Sequence, residues 1–131
     1  MIALDTNVIV RFLVEDDRRQ ASRARSLIRN ATTSKTPLYV SDIVFCEVVW
    51  VLDSAYGFGR DEIVSTLRRL LQARNLKFRS ASQIAEALEA YSSGPGDFAD
   101  YLIREQACEA GCDVVATFDG ALLSQPGFRR P

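Results

Sequence analysis

Short apolar runs that end at a carboxylate alternate along this chain with longer segments of helical periodicity, and this alternation limits the fold more than any other feature. Residues 2–4 form such a run and stop at Asp5, and residues 113–120 repeat the plan near the other end. Residues 37–40 are a third candidate strand, and residues 76–79 are a weaker fourth. We expect the runs at residues 2–4 and 113–120 to be buried strands.

The segments between the strands have the spacing of helices. Residues 17–30 form an amphipathic, arginine-rich segment, and residues 60–73 place their aliphatic side chains at helical intervals. Residues 41–55 are apolar on almost all sides. Strands that alternate with helices predict an α/β fold, a three-layer α/β/α sandwich with a central, mainly parallel sheet. The length suits a single domain over residues 1–131.

Two further helices are indicated by their start and stop signals. Ser80 and Gln83 have the spacing of a capping box, and the helix that they begin is ended by the Gly-Pro-Gly sequence at residues 94–96. The next helix opens near Asp97, and Gly111 fits its C-terminal cap.

The composition excludes several classes of enzyme. The chain has no histidine, which rules out Ser-His-Asp and Cys-His catalysis, paired-histidine RNA cleavage and nearly every catalytic zinc site. Its three cysteines predict no disulfide framework and favour a reducing compartment. Since the formal net charge is only -1, any surface for a polyanion must be local. The N-terminus lacks a signal peptide, and no apolar run approaches the roughly 20 residues that cross a bilayer, so we expect a soluble, cytoplasmic protein without membrane contact.

Acidic side chains occupy the positions where parallel α/β sheets bind ligands. Ligands of such sheets bind beyond the carboxyl ends of the strands, and Asp5 and Asp119 stand there by sequence. Either aspartate alone is explained more simply as a turn former. Glu47 lies in the middle of the apolar helix, where an unpaired glutamate is costly to bury. It faces a cleft, holds a cation or is protonated, and a structural salt bridge to an arginine is an equally good explanation.

Asp97 and Asp100 lie three residues apart and share one face at the start of the last helix. Helix N-termini favour acids, so capping explains at least one of the two, and Asp97, directly after Gly96, is the better cap. Asp100 lies deeper, before the apolar residues 101–103, where capping is a weaker explanation.

One hypothesis brings four of these acids into one pocket: Asp5, Glu47, Asp100 and Asp119. Two unit charges about 4 Å apart repel by roughly 4 kcal/mol at an effective dielectric constant of about 20, so such a cluster requires a cation. Oxygen ligands without histidine or clustered thiolates select Mg²⁺ or Mn²⁺. The chemistry that uses this kind of site is phosphoryl transfer, because the metal lowers the pKa of water and stabilises charge on the phosphate. Asp119 or Asp97 is placed to orient that water.

Basic residues are distributed unevenly. Residues 60–79 contain six lysines and arginines against two acids, whereas residues 80–113 contain one against seven. A basic flank beside an acidic metal pocket suits a nucleic-acid backbone, although any individual arginine is explained more simply as part of a solvated helix face.

From Asp5-Thr6-Asn7 onward the sequence resembles the PIN-domain family, and in particular the VapC-type toxins of bacterial and archaeal toxin–antitoxin modules. The resemblance continues at Glu47 in its apolar helix, at residues 97–103 and at Thr117-Phe118-Asp119. Order and spacing agree over essentially the whole chain.

This resemblance implies a Mg²⁺- or Mn²⁺-dependent endoribonuclease, the toxin of a toxin–antitoxin module, which hydrolyses RNA phosphodiester bonds with metal-activated water. It also implies a homodimer and a cognate antitoxin that inserts into the active site. The apolar run over residues 43–52 fits a dimer or antitoxin contact, and it is equally compatible with a wholly buried helix. The family's catalytic and metal-binding acids carry over as Asp5, Glu47, Asp100 and Asp119. The auxiliary positions are Asp97, Thr6, Asn7 and Thr117.

Two other classes of function compete with this one. A Mg²⁺-dependent phosphatase or receiver-like domain also places acids at strand ends, but receivers usually have an acidic pair after the first strand and a late lysine. Here Thr6 follows Asp5, and no lysine occurs after Lys77. The other alternative is a catalytically inactive PIN-like binding module, whose acids only hold a structural ion or pair with arginines.

Overall fold

The structure is a computed structural model that describes residues 1–131, and all of its strand pairs are parallel. The chain falls into two compact units, Met1–Arg79 and Ser80–Pro131. The predicted α/β composition is confirmed, with six helices and five short strands. Every helix is too short or too polar to span a membrane.

The first unit is built around a three-stranded parallel sheet in the order β1-β2-β3. Ile2 pairs with Leu38 and Leu38 with Leu76, so the three strands run in the same direction. Asp5 follows β1 at the edge where the strands end, as the sequence predicts. The elements of this unit are β1 (Ile2–Ala3), α1 (Thr6–Leu13), α2 (Arg18–Thr33), β2 (Leu38–Val40), α3 (Asp42–Ser54), α4 (Arg60–Leu71) and β3 (Leu76–Phe78).

The second unit joins two packed helices to a two-stranded parallel sheet. Its elements are α5 (Ala81–Ser93), α6 (Phe98–Glu109), β4 (Val115–Ala116) and β5 (Phe128–Arg129). Val115 pairs with Phe128. The Tyr91 and Phe98 rings meet edge to face, with their centroids 6.4 Å apart.

Each unit has its own buried apolar cluster. In the first unit, Leu38 and Val40 of β2 are fully buried together with Phe45 and Leu52 of α3. Fully buried residues of the second unit include Ile84, Leu88 and Tyr101. Burial of a large apolar side chain contributes about 1.5–3 kcal/mol, so these clusters hold in place the helices that carry the acids.

Most predicted helix boundaries are confirmed within a few residues. Helix α6 ends as expected in a Schellman motif, because Gly111 has a φ of 92° and the Cys112 N–H donates to the Ala107 carbonyl at 2.9 Å. The predicted capping box at Ser80 and Gln83 is wrong in its hydrogen bonding. Ser80 is the N-cap residue, but its side chain makes no capping bond at a ψ of 56°, whereas Ser41, at a ψ of 160°, does cap its helix.

The two outer strand predictions need correction. Of the predicted strands at residues 2–4 and 113–120, only Ile2–Ala3 and Val115–Ala116 are in strand conformation. Neither strand is buried, and Ile2 is 43% exposed. The physical reason is that β1 is an edge strand and β4 has a single neighbour, so each lacks a flanking strand. Helix α1 and strand β5 were not predicted. Three consecutive β-branched residues over 8–10 obscure α1, and two residues are too few to show a strand period.

Candidate functional site

Asp5 stands between the end of β1 and the start of α1. It is the N-cap residue of α1, with a φ of -82° and a ψ of 162°, yet its side chain makes no capping hydrogen bond. The Asp5 carbonyl instead accepts from the N–H groups of Val8 at 3.1 Å and Ile9 at 3.4 Å. The backbone therefore starts the helix, and the exposed carboxylate is left for another role.

Thr6 links Asp5 to Glu47. The Thr6 side chain is only 5% exposed, and its hydroxyl donates to Glu47 Oε2 at 2.9 Å. This bond joins the first turn of α1 to the middle of α3. It holds the Glu47 carboxylate against Thr6, the residue that follows Asp5. Glu47 is exposed, and its partner is a threonine hydroxyl, so the alternative of a structural salt bridge to an arginine is wrong.

Asp97 and Asp100 form a reciprocal pair at the start of α6. Asp97 is the N-cap residue, as predicted, with a ψ of 158°. Its backbone N–H donates to Asp100 Oδ2 at 3.0 Å. Asp100 therefore takes part in capping, although its deeper position in the helix sequence makes capping the weaker explanation for it. Because that bond uses one oxygen, Oδ1 remains for a ligand.

Asp119 ends the loop that follows β4. Its backbone N–H donates to the Thr117 hydroxyl oxygen at 3.0 Å, and its Oδ1 accepts from the Ala121 N–H at 3.0 Å. These contacts confirm the turn-forming role of Asp119. As with Asp100, the turn uses one carboxylate oxygen, and Thr117 fixes the backbone that carries the other.

The electrostatics of the second unit couple its acids. Burial raises the pKa of Asp100, and the negative charges of Asp97 and Asp119 raise it further, while the hydrogen bond from the Asp97 amide opposes them. The charge of Asp119 thus acts on Asp100 across 19 positions of sequence. Repulsion of this kind is relieved by a cation.

The donor chemistry of both units suits a hard divalent cation. The donors are carboxylate oxygens, with no histidine in the chain. In neither unit taken alone do three or more acidic or cysteine side chains form a group that could hold a metal ion. The predicted site residues are divided between the two units. The first unit contains Asp5, Thr6, Asn7 and Glu47, and the second contains Asp97, Asp100, Thr117 and Asp119.

Sequence reasoning missed Tyr101 as a positioning residue. Its side chain is completely buried, and its hydroxyl oxygen accepts from the Gly96 N–H at 3.0 Å. The Arg104 guanidinium carbon lies 5.1 Å from the centre of its ring. Tyr101 thereby fixes the loop just before Asp97. Its position directly after Asp100 was the available signal, but an apolar face explained it equally well.

Comparison with known proteins shows what the chain is similar to. The model of a family described as the PIN domain matches residues 2–127 and so spans both units. The chain is 26% identical over 129 residues to a protein of Aquifex aeolicus (strain VF5) named VapC ribonuclease. That similarity covers 98% of this chain and 94% of the relative.

Proposed function

This chain belongs to the PIN domain family, and on that premise we propose that it is a Mg²⁺- or Mn²⁺-dependent endoribonuclease, the toxin of a toxin–antitoxin module. The observation that carries the proposal is the geometry of two acids in the second unit: Asp100 Oδ2 accepts from the Asp97 N–H and Asp119 Oδ1 accepts from the Ala121 N–H, each at 3.0 Å, so each carboxylate keeps one oxygen for a cation. Burial and the negative charges of Asp97 and Asp119 raise the pKa of Asp100, and a bound cation would offset that repulsion. The similarity to a VapC ribonuclease supports RNA as the substrate.

In this proposal four acids hold the metal and act in catalysis: Asp5, Glu47, Asp100 and Asp119. Bound Mg²⁺ or Mn²⁺ supplies a Lewis acid that lowers the pKa of water and offsets charge on the phosphate oxygens. Auxiliary residues position these acids. Thr6 holds Glu47 through its hydroxyl, and Thr117 holds the turn of Asp119.

Two further residues act on the reactants. Asp97 is exposed beside Asp100, and either Asp97 or Asp119 orients the attacking water. Asn7 is exposed in the first turn of α1 and helps to orient the acids or the bound water.

The test replaces single carboxylates. We expect Asp5→Asn and Asp100→Asn each to lower Mg²⁺-dependent RNA cleavage by at least about 100-fold, since a neutral amide holds a divalent cation poorly. Cleavage is followed on total RNA by gel electrophoresis and end mapping. Asp53→Asn makes the same charge change at an exposed position of α3 and should leave the rate unchanged.

The outcomes separate the hypotheses. Full cleavage by both purified variants would refute these acids as the site. A wild-type protein that binds RNA or Mn²⁺ but does not cut would favour the inactive PIN-like module. An acyl-phosphate after incubation with acetyl phosphate and Mg²⁺ would favour the receiver-like alternative.

The proposal extends to partners and location. We propose that the protein forms a homodimer and is inhibited in the cytoplasm by a cognate antitoxin that inserts into the active site. Two large apolar side chains of α3 support a protein contact, since Ile43 is 71% exposed and Trp50 is 68% exposed. They flank Glu47 along one stripe of the helix.

A further inference from the structure

A groove between α1 and α2 begins two residues after Asp5. Asn7, Val8 and Arg11 of α1 line one wall. The other wall consists of side chains on one face of α2, three or four positions apart in the sequence. The α2 residues of this groove are Gln20, Arg23, Ala24 and Leu27, and the volume of the open groove is about 390 Å³. We call it the α1–α2 groove. It lies entirely within the first unit, and Asn7, at one end of its lining, is two residues from Asp5 in the sequence.

The lining of the α1–α2 groove has the chemistry of a nucleotide site. Val8 and Leu27 provide apolar surface against which a base can pack, and Asn7 and Gln20 provide amide groups. Arg11 and Arg23 contribute two guanidinium groups, and no carboxylate lines the groove. Guanidinium groups bind phosphate oxygens in a bidentate manner, while unstacked RNA bases are bound by packing and by amide hydrogen bonds.

The two arginines differ in how their charge is used. Arg11 is fixed in place, because it donates to Gln20 Oε1 at 2.7 Å, to Asp16 Oδ1 at 3.2 Å and to the Tyr56 hydroxyl at 2.8 Å. Asp16 offsets its charge, so Arg11 mainly holds the wall of the groove and orients Gln20.

Arg23 forms no ion pair. Arg25, only two positions further on, is paired with Glu15. Arg23 is therefore the cation of the α1–α2 groove whose charge remains available to a ligand. Its side chain is exposed, so binding a phosphate does not require breaking an existing contact.

We infer that the α1–α2 groove is a substrate subsite that seats single-stranded RNA next to the cleaved bond, with Arg23 binding a backbone phosphate and Arg11 positioning Gln20. This inference rests on the proposed nuclease function. It assigns Arg23 a role in substrate binding that none of the carboxylates provides.

The experiment measures binding separately from cleavage. In an Asp5→Asn background, fluorescence anisotropy follows binding of a labelled oligouridylate of about 12 nucleotides between about 50 and 200 mM KCl. Arg23→Ala is compared with Arg29→Ala, which removes the same charge from an exposed position of α2 outside the groove. Arg23→Lys retains the charge, and the Tm of each variant is recorded.

We expect Arg23→Ala to weaken binding about 10-fold and to reduce the slope of log K against log salt by about 0.7, the contribution of one phosphate contact on a single strand. Arg23→Lys should restore most of the slope, and Arg29→Ala should leave both quantities near those of the parent. Equal effects of Arg23→Ala and Arg29→Ala would overturn the subsite. Unchanged RNA binding with weaker binding of the cognate antitoxin would also overturn it and make the groove a protein contact.

Cleavage by the wild-type protein is measured on the same preparation. If the wild type cuts RNA and Arg23→Ala behaves like Arg29→Ala, the subsite fails while the nuclease function stands. If the wild type does not cut RNA, the proposed function fails first.

Discussion

At the scale of single residues, three of the four carboxylates of the candidate site are each held by one hydrogen bond. Glu47 is held by the Thr6 hydroxyl, Asp100 by the Asp97 amide and Asp119 by the Ala121 amide. Each contact occupies one carboxylate oxygen and leaves the second. Structural and ligand-binding roles are therefore compatible in the same side chain, and evidence for capping does not argue against metal binding.

The charge of these acids also affects a neighbouring thiol. Burial, together with the negative charges of Asp42 and Glu47, raises the pKa of Cys46 to about 11. At pH 8 only about 0.1% of this thiol is ionised, and the side chain is half-buried, so we expect iodoacetamide to modify the exposed Cys108 and Cys112 at least about 10-fold faster than Cys46. Mass spectrometry of the native protein measures the three rates.

Denaturant provides the control for this labelling. All three cysteines should then react alike, because unfolding removes both the burial and the fixed neighbouring charges. Native labelling of Cys46 at the same rate as Cys108 would contradict the assignment.

At the scale of elements, the turn between α5 and α6 determines where Asp97 and Asp100 lie. The backbone at Gly96 passes so close to its neighbours that a Cβ there would lie 2.5 Å from Leu122 Cδ2 and 3.1 Å from Tyr101 Cζ. Leu122 and Tyr101 are both buried. They cannot move aside without disturbing the core of the second unit.

We therefore expect Gly96→Ala to lower the free energy of unfolding by about 1–3 kcal/mol, the usual cost of overpacking. Urea denaturation followed by circular dichroism measures it. Gly120→Ala is the matched control, because a Cβ at Gly120 meets nothing within 4 Å. It should change stability by less than about 0.5 kcal/mol. Similar losses in both variants would mean that the close approach at Gly96 is not the cause.

Helix α3 is the second element with a testable consequence. Its apolar run suggested either a protein contact or a wholly buried helix, and the exposure of Ile43 and Trp50 excludes the wholly buried alternative. For the proposed homodimer we expect Trp50→Ala to raise the dimer dissociation constant by at least about 10-fold, because aromatic side chains at interface centres contribute most to binding. Light scattering over a dilution series measures it.

Phe118→Ala provides the control for α3, since it removes an aromatic ring that is 85% exposed in the second unit. A wild-type protein that is monomeric at all concentrations would refute the proposed homodimer. A dimer equally insensitive to both substitutions would place its contact away from α3.

At the scale of the whole molecule, membership of the PIN family confirms the predicted fold class, an α/β/α sandwich with a central, mainly parallel sheet. A parallel sheet brings the ends of its strands to one edge, and Asp5 follows its strand there. The single-domain organisation over residues 1–131 remains a prediction.

Metal binding is expected to stabilise the entire chain. A ligand that binds only the folded state adds about 2.7 kcal/mol when its concentration is about 100 times Kd. That corresponds to a rise in Tm of roughly 10 °C for a protein of this size. We expect Mn²⁺ to produce such a rise in the wild type and much less in Asp5→Asn or Asp100→Asn, measured by calorimetry.

Asp53→Asn is again the control for the metal experiment and should respond to Mn²⁺ like the wild type. A rise of the same size in Asp5→Asn, Asp100→Asn and the wild type would show that Mn²⁺ binds elsewhere.

Most helix boundaries, the α/β class and the candidate acids can be predicted from the amino-acid sequence. These follow from local signals, such as helical spacing, the stop at residues 94–96 and the glycine at 111, which need no distant contact. Three other features require the folded structure: Glu47 pairs with Thr6, 41 positions away, β1 and β4 are not buried, and the charge of Asp119 helps to raise the pKa of Asp100. Each of these features depends on contacts between residues that are far apart in the sequence, and local sequence patterns do not specify such contacts.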